Sequence, residues 1–238
     1  YMQNDKNFLG TAPIGKLLLK LSIPTVIAQL INMLYNVVDR IYIGHIPGEG
    51  SLALTGVGVC MPIIMIVTAF AALISSGGAP RASICMGKQD NKSAEQILGN
   101  CFSLQIVVSI VLTVVLLIWN KDLLMVFGAS KNTLGYATDY MRIYALGTLF
   151  VQLTLGMNAF ITAQGFTTTS MVSVLIGAIC NITLDPVFIF VFNMGVKGAA
   201  LATVLSQAIS TIWVVVFLSG KKTQLHLLKK YMGLKPKI

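Results

Sequence analysis

Long apolar stretches separated by short polar ones dominate the chain, and each is long enough to cross a bilayer as a helix of about 20 residues. Residues 120–132 are too polar to span, and a short helix against the membrane surface is expected there. The pattern predicts an all-α integral membrane protein whose residues 17–219 form a bundle of six transmembrane helices. The predicted spans are residues 17–43, 52–79, 97–119, 133–163, 168–192 and 198–219.

The segment between the second and third spans, residues 81–96, is polar and is expected to link these two helices outside the membrane. Pro80 follows a run of serine and glycine residues, and this run is expected to end the second helix near Ala79.

Composition supports a membrane protein and argues against several other classes. Hydrophobic residues make up 55% of the chain and charged residues 11%, whereas a soluble domain has about 25% charged residues. No P-loop and no nucleophile–base pair is found in the sequence, so neither an enzyme nor an ATP-driven pump is indicated. Uphill transport would then depend on an ion gradient. The cysteines form no Cys-x-x-Cys pair that would indicate zinc or redox chemistry: Cys60, Cys85, Cys101 and Cys180.

Positive charge is unequal between the two membrane sides. Twelve of the 17 Lys and Arg residues lie on the side of the termini, and three, Lys121, Lys131 and Lys197, lie on the opposite side. The positive-inside rule therefore places both termini in the cytoplasm of a multi-pass cell-membrane protein. Residues 1–16 form a cytoplasmic N-terminal segment and residues 220–238 a basic cytoplasmic one. This asymmetry accounts for most of the net charge of +9, so a nucleic-acid partner is not indicated.

Two further predictions concern the membrane surfaces: an ion pair in the fourth span and the position of the C-terminal segment. Asp139 and Arg142 lie three residues apart near the start of the fourth span and are expected to form a local ion pair. In the basic C-terminal segment, Leu225, Leu228 and Met232 would share one face of a helix. That segment is expected either to lie on the anionic inner leaflet or to form a solvated linker.

The first span has polar residues that fall within an arc of about 100° on a helix. Such a stripe cannot face lipid and must face other helices or a water-filled cavity. It ends in a carboxylate, which is costly in hydrocarbon unless it is protonated or meets a cation. A packing seam and the wall of a substrate or ion pathway are both possible, and the pathway is favoured. The stripe consists of Ser22, Gln29, Asn32, Asn36 and Asp39.

A second polar face is predicted on the fifth span, because its polar residues recur every four positions. Two intramembrane carboxylates on different helices, surrounded by neutral oxygen-bearing groups, suit a hard cation such as Na⁺, or a proton. Helix-to-helix hydrogen bonding explains the neutral residues well but explains the two carboxylates poorly. The residues of this face are Ser173, Gly177, Asn181 and Asp185. Further polar residues on the fourth and sixth spans are Thr148, Gln152, Asn158, Thr203, Gln207 and Ser210.

Two prolines are candidates for helix bending. Pro24 lies inside the first span, and Pro186 directly follows Asp185. A proline cannot donate the helical hydrogen bond to the carbonyl one turn earlier, so each of them frees a backbone oxygen.

Several motifs resemble the multidrug and toxic compound extrusion (MATE) transporters. The sequence Val-Asp-Arg-Ile-Tyr-Ile-Gly-His, together with the earlier proline, is similar to the first helix of that family. The sequences Asn-Ile-Thr-Leu-Asp-Pro-Val-Phe-Ile-Phe and Gly-Val-Lys-Gly-Ala-Ala-Leu-Ala-Thr resemble its fifth helix and the start of its sixth. The matching segments are Pro24, residues 38–45, Phe127–Ala129, 181–190, 195–203 and 206–207.

The resemblance implies an antiporter that exports organic, often cationic, compounds in exchange for Na⁺ or H⁺. It implies two six-helix lobes with a central cavity, so that this chain corresponds to the N-terminal lobe and its partners are the bilayer, small organic substrates and a C-terminal lobe. It also implies a cation site, which falls here on Asp39, Asn181, Asp185 and Thr203, and associates Pro24 with bending of the first helix. No cofactor is implied beyond the coupling ion. The candidates for the substrate cavity are Gln29, Asn32, Tyr35, Asn36, Gln152, Asn158 and Gln207.

Two other functions remain open at this point. A lipid-linked oligosaccharide flippase of the related superfamily would use Arg or Lys in its cavity to meet phosphates, and the spans hold few such residues. A membrane scaffold half that does not transport is the other alternative.

Overall fold

The computed structural model describes residues 13–220 and 223–233, and this part of the chain is built from helices and turns. The N-terminal segment up to residue 12, and residues 221–222 and 234–238 of the basic segment, lie outside the described residues. The helices are α1 (Ile14–Gly44), α2 (Gly50–Gly87), α3 (Asn91–Ile118), α4 (Asn120–Val126), α5 (Leu134–Ala163), α6 (Thr167–Pro186) and α7 (Val196–Ser219). A π-helical turn, Val187–Val191, extends α6, and a short 3₁₀ helix, Lys229–Tyr231, follows α7.

The predicted six-helix bundle is confirmed, because six helices in the described part of the chain are long and apolar enough to cross a membrane. The remaining helix, α4, is too short to span a membrane and is the short surface helix expected between the third and fourth spans. Its Leu124 is fully buried against the core formed by α2 and α5.

The α5 helix lies at the centre of the bundle and contacts α2, α3, α4, α6 and α7. Small residues let its neighbours approach closely, which is how helices pack in membranes. A Cβ added at Gly147 would come within 2.3 Å of the Val204 side chain on α7. A Cβ at Gly156 would overlap the Gln105 side chain on α3. Glycine is therefore needed at position 147 for this packing, and a larger residue at position 156 would require the Gln105 side chain to move.

The α1 helix lies at the edge of the bundle and packs mainly against α6. Of its residues, Asp39 and Ile43 are buried. Many of its other apolar side chains, among them Leu30, Met33 and Leu34, are exposed in this lobe, so lipid or a second lobe must cover them. The predicted polar stripe thus meets the bundle only along the C-terminal half of the helix.

The predicted end of the second span near Ala79 is wrong, because α2 continues through Pro80 to Gly87. Ala82 in this extension is fully buried, and the Ser83 hydroxyl contacts the Ala163 carbonyl at 3.4 Å, so the extension packs against α5. Prolines are tolerated inside transmembrane helices when neighbouring groups replace the lost bond.

The expected polar linker over residues 81–96 is therefore largely helix. Only Lys88–Asp90 separate α2 from α3, and Asp90 caps α3 by accepting a hydrogen bond from the Ser93 amide at 3.1 Å. This bond stabilises the carboxylate and lowers the pKa of Asp90.

Asp139 forms its ion pair with Lys197, at 3.4 Å, rather than with the predicted Arg142. The pair joins α5 to the first turn of α7 at the end of the bundle where both helices begin. Both side chains are substantially exposed, so the pair contributes little to stability. The local prediction was wrong because a residue distant in sequence lies closer in the fold.

Candidate functional site

Two carboxylates from different helices meet inside the bundle. Asp39 on α1 is 6% exposed and Asp185 on α6 is fully buried. Their side chains are close enough to share a hydrogen bond. A carboxylate can only accept hydrogen bonds, so this contact is favourable only when a proton or a cation lies between the two groups.

Asn181 and Thr203 complete the predicted cation site. The Asn181 amide donates to Asp185 Oδ1 and to Thr203 Oγ1, at 3.4 Å in each case. Thr203 in turn donates to the Ala199 carbonyl at 3.0 Å, which fixes its hydroxyl on α7. The structure therefore brings all four predicted residues together from α1, α6 and α7.

Three buried oxygens at this site have no hydrogen-bond partner in the described protein: Asp39 Oδ1, Asn181 Oδ1 and Asp185 Oδ2. Buried acceptors are normally satisfied, because leaving one unpaired costs about 1–3 kcal/mol. A set of carboxylate and amide oxygens is the donor set that hard cations prefer. The residues present therefore fit Na⁺, and equally a proton on one carboxylate.

Tyr140 on α5 also reaches this site and was missed by the sequence analysis. Its side chain is 3% exposed and lies near the Thr203 side chain. The sequence does contain a pattern that could have indicated Tyr140, because residues with polar groups recur every four positions on this face of α5. They are Tyr140, Tyr144, Thr148 and Gln152. The first two of these side chains are stacked, with ring centroids 6.3 Å apart.

The local sequence of α6 explains how the site is held. Its residues at positions 173, 177, 181 and 185 are all buried on one face, as the four-residue spacing predicted. Gly177 lets α7 approach, since a Cβ there would come within 2.6 Å of Ser210 Oγ. The π-helical turn begins directly after Pro186 and was not anticipated. Such turns are common near functional sites.

Four of the predicted substrate-cavity residues line one small cavity of about 40 Å³ between α1, α5, α6 and α7. They are Asn32, Tyr35, Asn158 and Gln207. Asn158 is held by the Ser173 hydroxyl at 2.6 Å. The side-chain oxygen of Gln207 has no partner, so it is available to a molecule that enters the cavity.

The other three cavity candidates are not brought to this cavity. Gln29 is exposed on α1, and the Asn36 amide donates to the Asn32 carbonyl at 2.6 Å within the same helix. Gln152 is fully buried and donates to the Val67 carbonyl of α2 at 2.6 Å. A polar residue in a span can thus serve a neighbouring backbone instead of a cavity.

A wider groove of about 310 Å³ lies beside the N-terminal half of α1. Its polar lining comes from Ser22 and Thr25 on α1, and from Thr162 and Thr167 at the α5–α6 junction. Pro24 lies between the two α1 residues, so the groove leaves this half of the helix without close packing. The α1 helix continues through Pro24, whose bending role remains a prediction.

Comparison with known proteins points to one family. The MatE family model matches residues 24–187. The multidrug export protein MepA of Staphylococcus haemolyticus is 28% identical over 218 residues, which are 92% of this chain and 48% of that protein. MepA of Staphylococcus aureus is 25% identical over 210 residues, or 88% of this chain and 46% of that protein.

The fold also matches a solved structure, described as the outward-facing conformation of a multidrug resistance MATE family transporter of the MOP superfamily. The TM-score is 0.89 at 24% identity, over 100% of this chain and 52% of that one. This chain therefore spans about half the length of the proteins that it matches, and it corresponds to their six-helix N-lobe.

Proposed function

Because this chain belongs to the MatE family, whose members are transporters rather than enzymes, we propose that it acts as the cation-binding N-terminal lobe of a multidrug exporter. Na⁺ or H⁺ would drive export. The supporting observation is the group of three unpartnered buried oxygens around the Asp39–Asp185 contact. A helix-packing seam offers no reason to bury two carboxylates with unpaired oxygens.

Coupling follows from the difference between the occupied and the empty site. Two ionised carboxylates in close contact repel each other; two like unit charges at about 4 Å do so by about 4 kcal/mol at an effective dielectric constant of about 20. A bound Na⁺ or proton removes this repulsion and links α1 to α6 and α7. Loss of the ion makes the same contact unfavourable and releases α1. The ion binds the arrangement in which α1 is held against α6 and α7 better than the arrangement in which α1 is released. It therefore shifts the population toward the first of these two arrangements.

Substrate binding would use the neighbouring cavity lined by Asn32, Tyr35, Asn158 and Gln207. These neutral polar and aromatic groups suit varied organic molecules, and the carboxylate pair next to them favours organic cations. In the described structure this cavity would hold only a water-sized group, so a substrate requires α1 or a C-terminal lobe to move and enlarge it.

The flippase alternative has less support. Among the described residues that line the cavity, none is Lys or Arg, whereas phosphate recognition generally uses Arg or Lys. The scaffold alternative does not account for the unpaired oxygens at the carboxylate site. We further propose a cell-membrane location with cytoplasmic termini and a C-terminal lobe as the partner that covers α1.

Binding of ²²Na⁺ to the purified chain in nanodiscs tests this proposal, measured at pH 6 and pH 8. Saturable binding that competes with protons is expected, with losses of at least about tenfold in Asp39→Asn and Asp185→Asn. The matched control is Asp139→Asn, which removes an exposed carboxylate on the same lobe. If neither Na⁺ nor protons bind at this pair, or if all three variants behave alike, the proposal is wrong.

A dye-efflux assay distinguishes transport from a scaffold role. Cells that express residues 1–238 together with a C-terminal lobe should export a cationic dye, and cells that express residues 1–238 alone should not. The absence of efflux from the paired halves, at normal surface levels and with Na⁺ binding intact, would favour the scaffold.

A further inference from the structure

The segment after α7 does not leave the bundle but folds back beneath it. We call residues 223–231 the strap. We call one end of the bundle the inner end: it is the end at which α3 begins and at which α5 and α7 terminate. Leu225 is fully buried and Leu227 is 6% exposed, and both belong to the core cluster at the inner end. This is unlike either alternative expected from the sequence, because a fully buried Leu225 can face neither lipid nor water.

One glutamine at the end of α5 holds the first part of the strap. Gln164 is 4% exposed, and its Oε1 accepts hydrogen bonds from the Thr223 hydroxyl at 2.6 Å, the Gln224 amide at 2.9 Å and the Leu225 amide at 3.0 Å. Its Nε2 donates to the Phe160 carbonyl at 3.1 Å, which orients the side chain. Two backbone amides that would otherwise be buried without a partner are thereby satisfied.

A carboxylate on α3 and a carbonyl on α7 hold the middle of the strap. Glu95 Oε1 accepts from the His226 backbone amide at 3.3 Å and lies 3.2 Å from its Nδ1. The Leu227 amide donates to the Leu218 carbonyl at 2.9 Å. The strap is thus bonded to α3, α5 and α7, which are far apart in sequence.

The end of the strap lies against α3 at a glycine. A Cβ added at Gly99 would come within 2.5 Å of the Tyr231 carbonyl oxygen. Backbone cannot yield as a flexible side chain can, so any larger residue at position 99 would displace the strap. Gly99 is itself buried in α3.

We propose that the strap is a fixed part of the lobe, which joins the inner ends of α3, α5 and α7 and moves the exit point of the chain from the end of α7 to α3. The inner end then moves as one body, and chain that continues beyond residue 231 is tethered at α3. This proposal goes beyond the proposed function and does not depend on ion binding or export.

Amide hydrogen exchange of the chain in nanodiscs tests it. In the wild type, the amides of residues 224, 225 and 227 should exchange at least about tenfold more slowly than in an unstructured peptide, because each is buried or hydrogen-bonded. Gln164→Leu removes the acceptor and Gly99→Ala inserts a methyl group. Each should speed exchange across residues 224–231 by about tenfold while exchange in α3 and α5 stays unchanged.

The matched control makes the same chemical change as Gly99→Ala at the inner end but away from the strap. Gly87→Ala adds a methyl group where nothing lies within 4 Å, and it should not change exchange in the strap. Unprotected strap amides in the wild type, or unchanged protection in both Gln164→Leu and Gly99→Ala, would overturn the proposal.

Discussion

Asp39 and Asp185 interact through their carboxyl groups, although one lies on the first helix and the other on the sixth. Both are at least nine-tenths buried, and one oxygen of each has no partner. The contact makes the position of α1 depend on whatever neutralises the pair.

Replacement of either carboxylate by its amide should therefore abolish ion-driven efflux by the full-length transporter. Asp39→Asn and Asp185→Asn each remove a buried charge and keep the side-chain shape, so folding should be preserved and thermal stability in detergent should not fall. Efflux from proteoliposomes after a pH or Na⁺ jump is expected to drop to background, while Asp139→Asn retains the wild-type rate. Wild-type efflux in both amide variants would mean that these carboxylates only pack helices.

Tyr140 should tune the affinity of the proposed ion site, because it lies beside Thr203. Tyr140→Phe removes the hydroxyl that could bond to this site, and loss of one hydrogen bond costs about 1 kcal/mol. Cation affinity, measured by ²²Na⁺ binding, is expected to fall by about threefold to tenfold. Tyr144→Phe is the control, since Tyr144 is equally buried on the same helix. Equal affinities in the two variants would contradict the assigned role.

Gly198 is required where α7 passes the π-helical turn. A Cβ at this position would come within 2.7 Å of the Phe188 backbone carbon, and relieving such an overlap costs about 1–3 kcal/mol. Gly198→Ala should therefore lower the melting temperature of the lobe in detergent. Gly58→Ala adds the same methyl group in α2 where nothing lies within 4 Å, and it should not lower it. A melting temperature unaffected by Gly198→Ala would show that the turn can relax.

Labelling of single cysteines can test which side of the membrane each end of the helix bundle faces. In a background without Cys60, Cys85, Cys101 and Cys180, Lys131→Cys should react with an impermeant maleimide in intact cells. Lys88→Cys lies at the other end of the bundle and should react only after permeabilisation. The reverse result would invert the proposed orientation.

The grouping of polar residues at the proposed ion site could be predicted in part, because some of its signal is local. The Asn181–Asp185 spacing fixes one face of a helix, and a carboxylate in a span is costly unless it meets a cation or a proton. Tyr140 was missed because a tyrosine in a span is ordinarily explained as packing. Gln152 was assigned to the cavity because sequence shows polarity but not the partner, here the Val67 carbonyl.

Other features depend on contacts that sequence does not display. The Ser-Gly run before Pro80 predicted a helix end, yet packing of Ala82 and Ser83 against other helices keeps α2 intact. The leucines of the strap suggested a helical face, but the sequence does not show which surface they pack against. The position of the strap depends on acceptors from three helices, among them Gln164 and Glu95, and on the absence of a side chain at Gly99.

The peripheral position of α1 has a mechanical consequence. Ile43, near its C-terminal end, is its one fully buried apolar residue, so the N-terminal half of the helix can swing without opening the hydrophobic core. The buried attachment of α1 is concentrated at the C-terminal end, where Asp39 and Ile43 lie. With the proposed function, one ion at Asp39 would therefore set the position of about 30 Å of helix.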